Sequence, residues 1–283
     1  MAEQTHLSTR TGVARTPDPP LPLWSTIVLA RIRSQLVYRT SFALNAVGSF
    51  LTGLLEFVEI YVLLAASPIY GGMTLPEATM VFALASISFG LADMVFGQMD
   101  SLPSFIKQGQ LESYLTKPLP LVPQMITSTV QLRRLARVLF GVIALVVSLQ
   151  FLDLGWSWAH AGIIAGAVLF GTAIFSSMFV LAGGCQFWLL NGTEFTNAFV
   201  YGGKYIAQVP GTVLLTPIRV FFTFVIPATV TAYLPTLILL DKPGPPLLPQ
   251  VLAWAAPIFA VWSWVLALVV WRAGVRKYTG AGG

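Results

Sequence analysis

Apolar runs, each near the length of a bilayer crossing, follow one another along this chain, with short polar stretches between them. They predict six transmembrane helices at about residues 41–66, 76–96, 135–152, 157–188, 216–240 and 251–271. Ahead of the first run, Trp24, Ile27, Val28, Leu29, Ile32 and Leu36 alternate with Arg31, Arg33, Gln35 and Arg39. Residues 24–39 therefore predict an N-terminal amphipathic helix at the cytoplasmic interface. Residues 1–23 carry Pro17, Pro19, Pro20 and Pro22 and no apolar h-region, so they read as a disordered cytoplasmic tail rather than a signal peptide.

Polar residues inside the apolar runs carry the next layer of information. In the first run Asn45, Ser49, Thr52, Glu56 and Glu59 step by four, three, four and three, which puts all five on one helical face. A charge at the bilayer centre costs about 3 kcal/mol on insertion scales. Glu56 and Glu59 therefore face a partner helix, a water-filled cavity or the outer interface. In the second run Ser86, Gly90, Asp93 and Gly97 recur at the same spacing, suited to close helix approach, with Asp93 within reach of an arginine of the N-terminal helix. The fourth run, at about 50 Å, is longer than a hydrocarbon core of about 30 Å. Its Gly162 and Gly166 form a GxxxG spacing, and Gly183-Gly184 offers packing or a kink. Pro227 and Pro235 interrupt the fifth run, so part of it reads as a re-entrant element.

Residues 97–124 form the longest interior polar loop. Its core, residues 109–120, reads as a short polar helix stopped by Pro118 and Pro120. Such a helix lies on the membrane surface or docks into a partner. Leu111 and Leu115, four apart, form one apolar face, and Glu112 and Lys117 stand beside it. Residues 124–132 are expected to begin the helix of the third run.

Composition confirms the membrane class. Charged residues make up 10% of the 283 and hydrophobic ones 56%, with a mean hydropathy of +0.77. Soluble domains carry about 25% charged residues. The net charge of +5 does not point to nucleic acid, because the cations follow membrane topology. With both termini cytoplasmic, every lysine and arginine except Lys242 falls on the inner side, Lys204 and Arg219 included. The sequon Asn191-Gly192-Thr193 also falls there, which makes it a chance match. A single cysteine, Cys185, excludes an internal disulfide.

The residues needed for catalysis are missing. His6 and His160 cannot build a histidine metal site, and there is no G-x-S-x-G elbow. Around Gly203-Lys204, Ala198 and Tyr205 stand where a P-loop requires Gly and Ser or Thr. The chain is read as neither an enzyme nor an ATP binder.

The loop Gly109-x-Leu111-Glu112-x-x-Leu115-x-Lys117-Pro118-Leu119-Pro120, set between the second and third of six spans, resembles the bacterial ABC-2 type transporter permeases. The Pro-rich fifth span, through Pro227 and Pro235, matches as well, and the resemblance covers about residues 24–275. It implies that residues 24–283 form an ABC-2 type transmembrane domain in the bacterial cytoplasmic membrane. It implies an exporter whose partners are a cytoplasmic ABC ATPase dimer and a second permease, identical or paralogous, within membrane lipid. ATP and magnesium would be cofactors of the ATPase and not of this chain. Gly109, Leu111, Glu112, Leu115, Lys117 and Pro118 would be the ATPase-coupling residues. Asn45, Ser49, Thr52, Glu56, Glu59 and Asp93 are candidates for a transport path or a dimer interface, suited to an amphipathic, lipid-like or drug-like substrate. Two other classes fit the same residues: an ion-coupled transporter or channel using Glu56, Glu59 and Asp93, and a membrane scaffold without transport.

Overall fold

A computed structural model describes residues 23–278, apart from 67–68, 118–119, 129–130, 153, 156, 190–193 and 195–196. The N-terminal tail up to residue 22, Pro118 and the sequon lie outside the described residues. The described residues are helical, with one isolated bridge between Tyr70 and Met73.

Helix α1 (Leu23–Val37) is separated from α2 (Arg39–Ala66) by a bend at Tyr38. The expected segregation of faces is weak, because Leu29 and Val37 are exposed together with Arg33 and Ser34. Among the described residues, four stretches are long and apolar enough to cross a membrane: Arg39–Leu63, Leu75–Lys107, Trp158–Cys185 and Gln250–Lys277. Between them, α7 (Leu135–Phe151) is 17 residues long, the short end of the crossing range of about 17–25.

Helix α3 (Leu75–Phe96) is the axis of the bundle. Ala78 to Gly90 are all buried, as expected of a helix that is apolar all round. In lipid no hydrophobic force pushes helices together, so close backbone approach carries the packing. Gly90 of α3 faces Val138 of α7, where an added methyl group would stand 2.7 Å from Cγ2, and Gly141 of α7 faces Ile87 in return. On the other flank α8 (Trp158–Cys185) crosses the C-terminal helix, Ala256–Lys277, through Gly183, Gly184 and Gly274. The expected packing role thus holds for Gly183 and Gly184. It does not hold for Gly162, which has nothing within 4 Å of an added methyl group, or for Gly166, which meets only Phe170 at 4.0 Å. Both line an apolar groove of 320 Å³ with Pro235 and Trp254.

The fifth run departs from a single helix. Helix Thr216–Val220 continues as a π-helical turn, Phe221–Val225, and breaks at Ile226-Pro227. Helices Ala228–Thr231 and Tyr233–Leu239 follow, and the two arms meet at 70°. Proline removes a ladder hydrogen bond, and here side chains close the gap: Thr223 and Thr229 share a hydroxyl hydrogen bond of 2.7 Å across the break. Pro235 sits in the first turn of its helix, where no hydrogen bond is lost.

Both ends of this bent pair meet the turn between α2 and α3. Thr212, just before it, donates to the Gly71 carbonyl. Lys242, just after it, donates to the Gly72 carbonyl at 3.2 Å and pairs with Glu77 at 2.6 Å. The stretch between the fourth and fifth runs is helical. A π-helical turn, Asn197–Tyr201, runs into α9 (Gly202–Gln208) along α3. Tyr201 donates to Asp100 at 2.8 Å at one end of α3, and Gln208 donates to Ser86 at 3.0 Å near its middle.

At the far end of α3 the chain forms a 3-10 turn (Gly97–Ser101), α4 (Leu102–Lys107), α5 (Gln110–Leu115) and α6 (Leu121–Ser128). Gly109 starts α5 with φ +66°, a left-handed conformation that costs glycine nothing. Helix α6 is separate from α7, contrary to the expectation of one continuous helix. It is tied back by Gln124, which donates to the Tyr114 carbonyl at 3.1 Å. This end also gathers the exposed cations Arg33, Arg39, Lys107, Lys117, Arg133, Arg272, Arg276 and Lys277, and is called the basic end below.

Candidate functional site

Two places concentrate polar chemistry: a buried charge network along α3 and the loop at the basic end. The network starts with Asp93, 2% exposed. Its carboxylate is ion-paired with Arg134 and lies 3.5 Å from Arg137. The expected partner, an arginine of the N-terminal helix, is not the one used. The turn before α7 and the first turn of α7 supply both cations, because Gly90 and Gly97 let that helix end approach α3.

Lys204 is the second correction. It was read as an inner-flank cation, yet it is 2% exposed and sits 2.5 Å from Glu56 of α2. Gln208 reaches the other Glu56 oxygen at 3.3 Å. The ammonium also stands over the rings of Phe89 and Tyr205, at 5.4 and 5.0 Å from the centroids. Tyr201, Lys204 and Gln208 fall at i, i+3 and i+7, one face of a helix. That spacing was legible in the sequence and was missed because the segment is too short and polar to register as a span. Arg219 lies on the first arm of the bent pair, and its side chain bonds to Thr216 at 3.4 Å.

The polar face of α2 exists but divides into separate environments. The Ser49 and Thr52 hydroxyls donate back to the carbonyls of Asn45 and Gly48. Asn45 accepts from Arg133 at 3.2 Å at the basic end. Glu56 is paired as described. Glu59 is exposed and lines a cavity of 170 Å³ with Glu56, Tyr205, Gln208 and Leu63. The packed face of α2, marked by Gly53 and Ile60, lies beside this polar stripe rather than under it.

In the loop, Leu111 is fully buried, while Leu115 is 42% exposed. The two do not share an outward apolar face, although they stand four apart. The outward side of α5 and the turn after it carries Glu112, Leu115 and Lys117. The Lys117 ammonium rests 5.3 Å from the Tyr114 ring centroid. Tyr278, just past the C-terminal helix, has its phenol pushed above the ordinary range by burial and, second, by the Glu112 carboxylate. Helix α5 therefore sits beside the C-terminal end of the bundle.

A helical bundle with charges paired inside it, built on apolar helices long enough to cross a bilayer, defines a membrane protein. The family described as ABC-2 family transporter protein matches residues 50–282. The chain belongs to that family: it is an ABC-2 type permease, a membrane transport component, and membership implies association with an ABC ATPase. No curated protein and no solved structure matches it.

Proposed function

We propose that this permease is half of an exporter in the bacterial cytoplasmic membrane, pairing with a second permease and with an ABC ATPase dimer that binds ATP and magnesium. Its cargo is an amphipathic, lipid-like or drug-like compound. Six crossings carry it: the four long stretches, α7, and the segment from Asn197 to Thr212, whose Tyr201 bonds to Asp100 at one end of α3 and whose Thr212 bonds to Gly71 beyond the other. The Thr216–Leu239 pair is a re-entrant hairpin, a reading supported by the contacts of both its ends with the same turn. Both termini and residues 97–124 then lie in the cytoplasm.

The observation that carries the coupling role is the exposed side of α5, Glu112, Leu115 and Lys117, set at the basic end beside the exit of α3. The Gln124–Tyr114 bond and the enclosed Leu111 side chain tie this short piece to the bundle, as a lever requires. ATP-driven closure of the partner would push on α5 and move α3. The test is co-purification in detergent with the ATPase. Retention in the wild type, with loss in Lys117→Glu combined with Leu115→Asp, supports the coupling surface; equal retention in both removes it.

The ion-coupled reading needs a free carboxylate along the path. Glu56 is committed to Lys204 and Asp93 to Arg134 and Arg137, which favours a structural role for both; of the three carboxylates that reading uses, only Glu59, exposed at the cavity beside Glu56, is left to serve it.

A further inference from the structure

At the basic end a cavity of 390 Å³ opens at the elbow between α1 and α2, lined in part by Ser34, Tyr38, Ser41, Asn45, Gln131 and Arg133. Arg133 is held there by neutral groups. Its Nε and one Nη donate to the Gln131 side-chain oxygen at 3.2 and 2.9 Å, and its other Nη donates to Asn45 at 3.2 Å. Arg134 and Arg137 have Asp93, but among the described residues no carboxylate pairs with Arg133. A guanidinium has five N–H groups, so one on each terminal nitrogen stays available, the fork that grips two phosphate oxygens. The first turn of α2 borders the cavity through Ser41. The Tyr38 and Ser41 hydroxyls complete a set of donors.

The same helix continues upward as an apolar track. Leu44, Leu51 and Leu55 are exposed, and Gly48 between them has nothing within 4 Å of an added methyl group. These positions fall on the flank of α2 next to Ser41. A cationic cup at the bilayer surface with an apolar track above it fits a molecule with a charged head and an acyl tail.

We propose that this elbow binds the phosphate of an anionic phospholipid from the leaflet at the basic end, with its acyl chain along Leu44, Gly48 and Leu55. The assignment rests on the chain lying in a bilayer with its basic end at the surface, and not on the coupling role or the exported substrate. An arginine with free N–H groups beside hydroxyl donors at the membrane surface suits an anionic head group.

The full chain, purified in detergent and stripped of lipid, is titrated with dioleoyl phosphatidylglycerol or dioleoyl phosphatidylcholine and read by native mass spectrometry. Phosphatidylglycerol binds about tenfold more tightly, or about 1.4 kcal/mol. In Arg133→Gln the preference disappears, Arg133→Lys keeps part of it, and Arg272→Gln, an exposed arginine outside the cavity, keeps all of it. Inorganic phosphate at equal concentration leaves the lipid bound. Displacement by inorganic phosphate overturns the lipid assignment in favour of a free anion. An unchanged preference in Arg133→Gln, or an equal loss in Arg272→Gln, overturns the site. Binding needs no ATPase, so failure here is distinct from failure of the coupling reading.

Discussion

The Lys204 ammonium lies 2.5 Å from a Glu56 oxygen across 148 residues of sequence, and the lysine is 2% exposed. Within the membrane an ammonium without a partner is costly, so the pair and Gln208 act as one unit. Removing one member leaves the other buried and unpaired, at about 3–5 kcal/mol. Lys204→Met therefore lowers the thermal stability of the detergent-purified chain sharply. The double variant Glu56→Leu with Lys204→Met recovers most of the loss. A double variant no more stable than the single one would show that the pair is not the reason for the loss.

Leu111 and Leu115 separate fold from docking. Leu111→Asp buries a charge and reduces the yield of monodisperse protein, because the side chain is fully enclosed. Leu115→Asp leaves the monodisperse yield unchanged and reduces ATPase retention. Size-exclusion profiles and pull-down with the ATPase distinguish the two, and a folding defect in Leu115→Asp would contradict the assignment.

Glycine contacts give a third contrast. An added methyl group at Gly184 would stand 2.9 Å from the Trp271 backbone, which cannot move aside. Gly184→Leu destabilises by about 1–3 kcal/mol or more through overpacking. Gly162→Leu is tolerated, since that position is open. Melting curves of the two variants should differ; equal melting would remove the close crossing.

The hairpin reading makes a topological statement. On a Cys185→Ser background, Thr212→Cys and Asp241→Cys react with a membrane-impermeant maleimide from the same side, since both residues are exposed next to the α2–α3 turn. Lys117→Cys reacts from the opposite side. Labelling of positions 212 and 241 from opposite sides would make Thr216–Leu239 a true crossing.

The sequence made much of the architecture legible. Helices α2, α3, α7 and α8 lie over the expected apolar runs, and the C-terminal helix, Ala256–Lys277, begins later and runs six residues beyond the expected 251–271. The break in the fifth run falls at Pro227, where a missing N–H forces it. Asp93 and Glu56 were singled out because a charge in an apolar run needs a partner, and both have one. What the runs did not reveal was the partner. Lys204 looked like a flank because its segment is short and polar, and an apolar-run criterion finds only long apolar helices. Leu111 and Leu115 looked like one face because periodicity describes a helix alone. Which of two neighbouring directions is covered depends on the helices packed around it, and α5 turns Leu111 inward.

The sequence by itself determined a helical membrane protein, its distribution of charge and the place of its polar loop, because bilayer thickness and the cost of charge in lipid act locally on each run. Only the tertiary structure decided which carboxylate neutralises Lys204, which leucine of α5 faces outward, and that both ends of the bent pair meet the turn between α2 and α3. Those are pairings between distant segments, and no local pattern along the chain specifies which distant residue is brought alongside.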